Sequence, residues 1–218
     1  MEIASALSST AASVTVVCMT EEPVPPLGTD LGSVIRERFE ARGVKVYVNA
    51  QAERLEGEDE VTGVHLKSGE TIPADVVVTG IGVAPPTDWL KNTRIQLNDA
   101  GFIEVDRHFR VRQLLGYSIV GRPFPHEVVP YFWTLFFFEF GVRFAGCPQG
   151  AEHTLLHGSL AELKFAKYYL KQGIVVAVAS AGPVPTAVQF LELFKRKIEI
   201  TREDVEKNTT NDWLAWLE

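Results

Sequence analysis

Apolar residues recur along this chain in two rhythms, and the alternation between them predicts its elements. Residues 1–11, rich in Ala and Ser with apolar residues at helical spacing, predict a short helix, and Ser13 to Met19 alternate into a β-branched strand. Three prolines between Glu21 and Leu27 force a loop. A second helix is expected from Thr29 or Asp30, both suited to an N-cap, to Arg42, where Gly43 stops it. Its Leu31, Val34, Ile35 and Phe39 fall on one face. Val44 to Val48 predicts a strand, residues 61–72 a hairpin through Ser68-Gly69, and Val76 to Val78 a parallel strand buried on both faces.

A short helix near Trp89 and a polar, hairpin-like stretch over residues 95–106 follow. Residues 114–128 hold Gly116, Gly121, Pro123 and Pro125 without any period, as an irregular connector does. Beyond it the rhythm is that of an antiparallel sheet: strands in 130–134, 140–146 and 154–160, then a hairpin over 162–182 that turns at Gly173. Pro185 to Ile198 predicts a helix with Val188, Leu191 and Phe194 in register, and residues 201–206, TREDVE, resemble a capping-box start to another. The predicted organisation is an α/β domain over 1–113, the connector 114–128, and an α+β domain over 129–218.

Composition narrows the function classes. A chain of 218 residues that is 46% hydrophobic and 22% charged is ordinary for a globular protein. Its net charge of −7, with Lys and Arg scattered, argues against a nucleic-acid surface. Cys18 and Cys147 are far apart and outside any Cys-x-x-Cys, so they suggest buried structural thiols rather than a disulfide or zinc site. No apolar run reaches membrane-spanning length, and the aromatic stretch 131–140 is broken by Glu139, which predicts a buried strand or helix. No targeting signal is visible. Arg143, Lys164 and Lys167 are read as a solvated face, and His153 and His157, four apart on a strand or loop, do not suit a metal pair.

The densest chemistry lies at residues 74–90, ADVVVTGIGVAPPTDWL. Gly80 and Gly82 leave backbone without a Cβ at the exit of the predicted strand, while Pro85 and Pro86 carry the chain out of the sheet. Ligands of open α/β sheets bind beyond the carboxyl ends of the strands, so this turn is either a ligand edge or a tight strand exit.

With the strand, the GIGVAPP turn and the polar hairpin after it, the chain resembles the apoptosis-inducing-factor-like branch of the FAD- and NAD(P)-dependent pyridine nucleotide-disulfide oxidoreductases. The resemblance covers most of residues 1–113 and 129–218. It implies a partial Rossmann-like NAD-binding domain followed by an antiparallel-sheet reductase C-terminal domain. It also implies hydride transfer from NAD(P)H to FAD and on to an electron acceptor, a mitochondrial or cytoplasmic setting, and a homodimer as one assembly. MEIASAL is similar to the helix that follows the family's first glycine-rich loop, so Glu2 is a candidate flavin-site carboxylate; the other reading is a first-turn acid favoured by the helix dipole. Pro130 to Thr134 resembles the opening of the C-terminal domain, which makes Trp133 the aromatic beside flavin and nicotinamide, or else a core residue. Glu22 is aligned with the acid that binds the adenosine ribose, and Gly80, Gly82 and Pro85 with the nicotinamide edge.

Two departures from the family pattern shape the expectation. No Gly-x-Gly-x-x-Gly and no Gly-Asp occurs in the sequence, the two motifs that hold FAD in the family. The chain alone is therefore expected not to retain FAD, and a non-catalytic binding or interaction module stands as the alternative function. No Arg lies in the 21–27 loop to take a 2′-phosphate, which tilts the choice toward NADH.

Overall fold

The computed structural model describes residues 1–93, 95–105 and 129–217. Its residues fall into two compact units, Met1–Val77 with Pro130–Glu218, and Val78–Val129. The connector expected over 114–128 lies outside the described residues.

The first unit opens with helix α1 (Glu2–Leu7), shorter than the stretch 1–11 suggested, followed by β1 (Thr15–Val17), α2 (Thr29–Glu40) and β2 (Lys45–Tyr47). β1 and β2 pair in parallel, with Val16 opposite Val46, so strand, helix and strand form one parallel crossover unit. Helix α2 turns Leu31, Ile35 and Phe39 fully inward. Its N-cap is Gly28 rather than Thr29 or Asp30, because the Asp30 carboxylate is engaged elsewhere, by Lys167.

A three-stranded antiparallel sheet comes next: β3 (Ala52–Glu56), β4 (Gly63–Leu66) and β5 (Thr71–Pro73). The β4–β5 hairpin turns through Ser68-Gly69, with Gly69 at φ 93°, as its sequence predicts. β3 was not legible, because its AERLE carries charges on an exposed edge.

The expected strand over 74–80 does not form. Val76 and Val78 are 77% and 56% exposed. A parallel strand buried on both faces needs ladder partners, and among the described residues the parallel sheet contains only β1 and β2.

The rest of this unit is a five-stranded antiparallel sheet in the order β6-β7-β10-β9-β8, built from β6 (Tyr131–Phe136), β7 (Phe140–Gly146), β8 (His153–Ser159), β9 (Lys164–Lys171) and β10 (Ile174–Ala181). The sheet is covered on both faces. β9 shows this by its period of two: Phe165 and Tyr169 join α2 in one core, while Ala166, Tyr168 and Leu170 join a second core with α3 (Thr186–Lys195) and α4 (Arg202–Lys207).

Lys167 falls between Phe165 and Tyr169 on the α2-facing side, so it is 5% exposed and not part of a solvated face; Lys164, at the strand end, is exposed. α3 buries Ala187, Phe190 and Leu193, and leaves Val188 exposed. Of the expected row, Leu191 and Phe194 pack at the margin of the same core, while the fully buried row is its neighbour, Ala187, Phe190 and Leu193. α4 starts at a complete capping box, with Thr201 and Asp204 each bonded to the other's backbone N–H.

In the second unit, Asp88–Leu90 is a single 3-10 turn with Leu90 buried and Trp89 exposed. Leu97 bridges Ile103 across a tight loop in which the Asn98 side chain accepts from the N–H groups of Ala100 and Phe102, both at 3.0 Å. This is the hairpin read from residues 95–106.

Candidate functional site

Glu2 stands in the first turn of α1, and the packing of Met1 and Ala4 against the main core sets that helix beside β6. Its Oε1 accepts from the Thr134 hydroxyl at 2.7 Å and from the Leu135 N–H at 3.2 Å. These bonds, Thr134 first, hold the Glu2 carboxyl below its ordinary range and favour the ionised form. Leu135 can donate because β6 is an edge strand: β7 takes its other side, and the outward N–H is open.

The residue before Thr134 is Trp133, 63% exposed, with Tyr131 and Leu135 on the same face of the strand. Two residues 131 apart in sequence, both proposed for flavin contact, thus lie on one strand's edge and face: Glu2 bonds the edge at Thr134 and Leu135, and Trp133 stands on the face opposite the Thr134 side chain. Register places Arg143 directly across from Trp133, and Arg143 has no ion pair among the described residues. Trp133, Thr134, Leu135 and Arg143 line a shallow cleft of about 420 Å³ with Arg38, Glu139 and Lys164, and Glu2 is not among its lining residues. The aromatic run 131–140 is therefore not wholly buried: Phe136 packs inside, while Trp133 and Phe138 face outward.

Glu22 lies in the same unit, after the end of β1. Both of its carboxylate oxygens accept from Arg36, at 2.9 and 3.0 Å. Gly80, Gly82 and Pro85 belong to the second unit. Gly82 has φ +91°, a conformation suited to glycine, and a Cβ at Gly80 or Gly82 would meet open space.

Elsewhere, Cys147 is exposed rather than buried, because it follows the last residue of β7 at the rim of a cleft of about 570 Å³ with Lys171 and Phe194. Cys18 is half-buried beyond β1, and burial raises its thiol pKa. His157 Nδ1 lies 2.7 Å from Asn211 Oδ1, in a network with Tyr168 and Trp213 that anchors the C-terminal segment. Among the described residues no helix is long and apolar enough to cross a membrane, and no cluster of metal-ligating residues occurs.

Reading the sequence missed Thr134, Arg36 and Arg143. Thr134 carried a signal, since it is the polar member of an apolar alternation. Arg36 carried none toward Glu22, because only the approach of the loop to α2 joins them.

A parallel β1–α2–β2 unit followed by an antiparallel meander and a second antiparallel sheet defines a mixed α/β architecture. Residues 1–114 match the pyridine nucleotide-disulphide oxidoreductase family, and the chain belongs to that family. Apoptosis-inducing factor 3 of Homo sapiens is 29% identical over the whole chain, which spans 42% of that relative's length. The probable ferredoxin reductase CtmF of Castellaniella defragrans is 26% identical over 80% of the chain and 51% of its own length. The crystal structure of a ferredoxin reductase from Rhodopseudomonas palustris superposes with a TM-score of 0.81 at 20% identity, covering 99% of this chain and 61% of that one. The covalent complex of putidaredoxin reductase with putidaredoxin gives the same score at 17% identity, again with 99% of this chain and 60% of that one covered. Both structures share the fold.

Proposed function

We propose that this chain forms part of an NAD(P)H-dependent flavoprotein oxidoreductase of the apoptosis-inducing-factor-like type, in which hydride passes from NAD(P)H to FAD and electrons leave to an acceptor. The observation that supports this most is the Glu2–Thr134 hydrogen bond, which sets an ionised carboxylate on the open edge of β6, the strand that carries the exposed Trp133. That donor set fits the ring end of a flavin. Bound there, FAD would supply hydride acceptance and one-electron release. The chain's own residues position: Trp133 offers a flat apolar face, Glu2 accepts a hydrogen bond without needing to lose a proton first, and Arg143 places positive charge beside the indole. Gly80, Gly82 and Pro85 are proposed for the nicotinamide and Glu22 for the ribose.

The acceptor is proposed to be a small redox protein of ferredoxin type, because several relatives are named as ferredoxin reductases. The exposed run at Val76, Val78, Ile81 and Val83 favours a second reading, in which the chain acts as a binding module without catalysis.

Titrating FAD into the 218-residue chain while following tryptophan fluorescence separates the two readings. The oxidoreductase reading expects saturable quenching that is lost in Trp133→Phe. Equal quenching in both proteins, or none in either, contradicts it and leaves the binding module.

A further inference from the structure

Two phenylalanines form the tip of the β6–β7 hairpin, in a backbone that suits neither. Phe137 and Phe138 both have positive φ, 54° and 55°, and the Glu139 N–H closes the turn on the Phe136 carbonyl at 3.0 Å. Positive φ at both central positions is the pattern of a type I′ turn, where Asn and Gly normally stand because a bulky side chain is strained there. Beyond the backbone the two residues differ. For Phe137, packing offsets the strain: its ring centroid lies 4.6 Å from that of Phe39, and the Arg42 guanidinium stands 4.5 Å above it. Phe138 is 85% exposed, more than any other large apolar residue described in the first unit. With its ring in solvent, no packing offsets its strain. A strained turn that holds an apolar ring out into water points to a use outside the chain.

The chemistry around the tip is layered. Glu139 and Phe140, the next residues along, share a cleft with Arg38, Arg143, Glu162 and Lys164. Arg42 pairs with Glu139, and Arg38 donates to the Ala161 carbonyl, but Arg38, Arg143 and Lys164 have no carboxylate partner among the described residues. Four cations thus stand against two carboxylates at this end of the sheet, in a chain whose net charge is −7. An apolar tip collared by cations matches the order of an anionic bilayer, with phosphates outside and acyl chains within. A folded protein would have to offer a pocket shaped to one protruding ring. A bilayer takes such a ring without shape complementarity.

We propose that the β6–β7 hairpin tip docks on an anionic lipid surface, with Phe138 entering the acyl boundary while Arg38, Arg42, Arg143 and Lys164 meet the lipid phosphates. The attachment is shallow and reversible. One ring supplies the apolar part, and the cations supply a part that salt screens.

Co-sedimentation of the 218-residue chain with phosphatidylcholine vesicles, made with and without phosphatidylserine, tests this. Binding is expected only with phosphatidylserine present, and it should weaken as salt rises. Phe138→Gly separates docking from folding, because glycine relieves the left-handed backbone while removing the ring. Its melting temperature should hold or rise, while its partition onto vesicles falls about tenfold. Arg143→Gln combined with Lys164→Gln should lower the partition by about tenfold as well. If the glycine variant does not fold, Phe138→Asn, which also tolerates this backbone, must show the same loss. Absence of binding to phosphatidylserine vesicles, equal binding to both vesicle types, or undiminished binding by a folded Phe138→Gly or Phe138→Asn protein overturns the proposal. A concentration-dependent dimer in sedimentation velocity that Phe138→Gly abolishes also overturns it, since the tip would then be a contact between copies.

Discussion

Lys167 is the residue whose environment departs furthest from its type. Its ammonium contacts both Asp30 oxygens, at 2.6 and 2.8 Å, and the Leu27 carbonyl at 3.4 Å, under the Tyr169 ring. The lysine side chain is 7% exposed and the aspartate 49%, so the two ends of the pair respond differently to loss of the partner. Asp30→Ala strands a buried cation and is expected to cost about 3 kcal/mol, whereas Lys167→Met leaves an aspartate that water can reach and should cost less than about 1.5 kcal/mol. Urea unfolding of both variants checks the asymmetry; equal losses would contradict it. The position was legible in principle, since Lys167 sits at an inward place in an apolar alternation. Charge alone suggests solvent, and it was the period-two pattern of β9 that decided.

Among the elements, α4 was the most legible in sequence. Thr201 and Asp204 show the reciprocal bonds that TREDVE suggests, and the hydrogen bonds from Thr201 lower the Asp204 pKa. A lowered carboxyl pKa adds stability that is present above the unfolded value, here 3.8, and is lost as pH falls through the folded value. Thr201→Ala should therefore destabilise the protein by about 1 kcal/mol near neutral pH. The deficit should shrink as pH falls from 3.8 through the lower folded value, where Asp204 becomes protonated in the folded protein, and thermal melts across that range check it. α3 shows the opposite case. Val188, Leu191 and Phe194 are as regular as Ala187, Phe190 and Leu193, and only the docking of the helix on the sheet buries the second row fully, leaves Leu191 and Phe194 at the margin and exposes Val188. The run Val76 to Val78 has strand composition but no ladder partner among the described residues, and composition cannot supply one.

At the scale of the whole molecule, Met1–Val77 and Pro130–Glu218 make one compact unit. The reason is packing across a long sequence separation: Leu31, Ile35 and Phe39 of α2 share one core with Phe136, Val142 and Phe144 of the C-terminal sheet. Most elements were readable from periodicity, β3 and the strand expected at Val76 to Val78 excepted, but which faces meet was not. With neither family FAD motif in the sequence, the purified chain is expected to be colourless, to take up added FAD only weakly and reversibly, and to bind NADH no better than roughly millimolar, about −4 kcal/mol. Visible absorption and calorimetry check these; stoichiometric flavin bands, or a low-micromolar affinity abolished by Gly82→Val, would contradict them.

The central claim is that Glu2 and Trp133 form one flavin-facing site. Heteronuclear NMR of the labelled chain during FAD addition tests it most directly, because each indole N–H reports separately. The account predicts saturable shifts at the Trp133 indole and the Leu135 amide, with the buried Trp213 indole unmoved, and loss of those shifts in Thr134→Val, which removes the shorter of the two bonds that hold the Glu2 carboxylate. Shifts that avoid Trp133 and Leu135, or that survive unchanged in Thr134→Val, would contradict it.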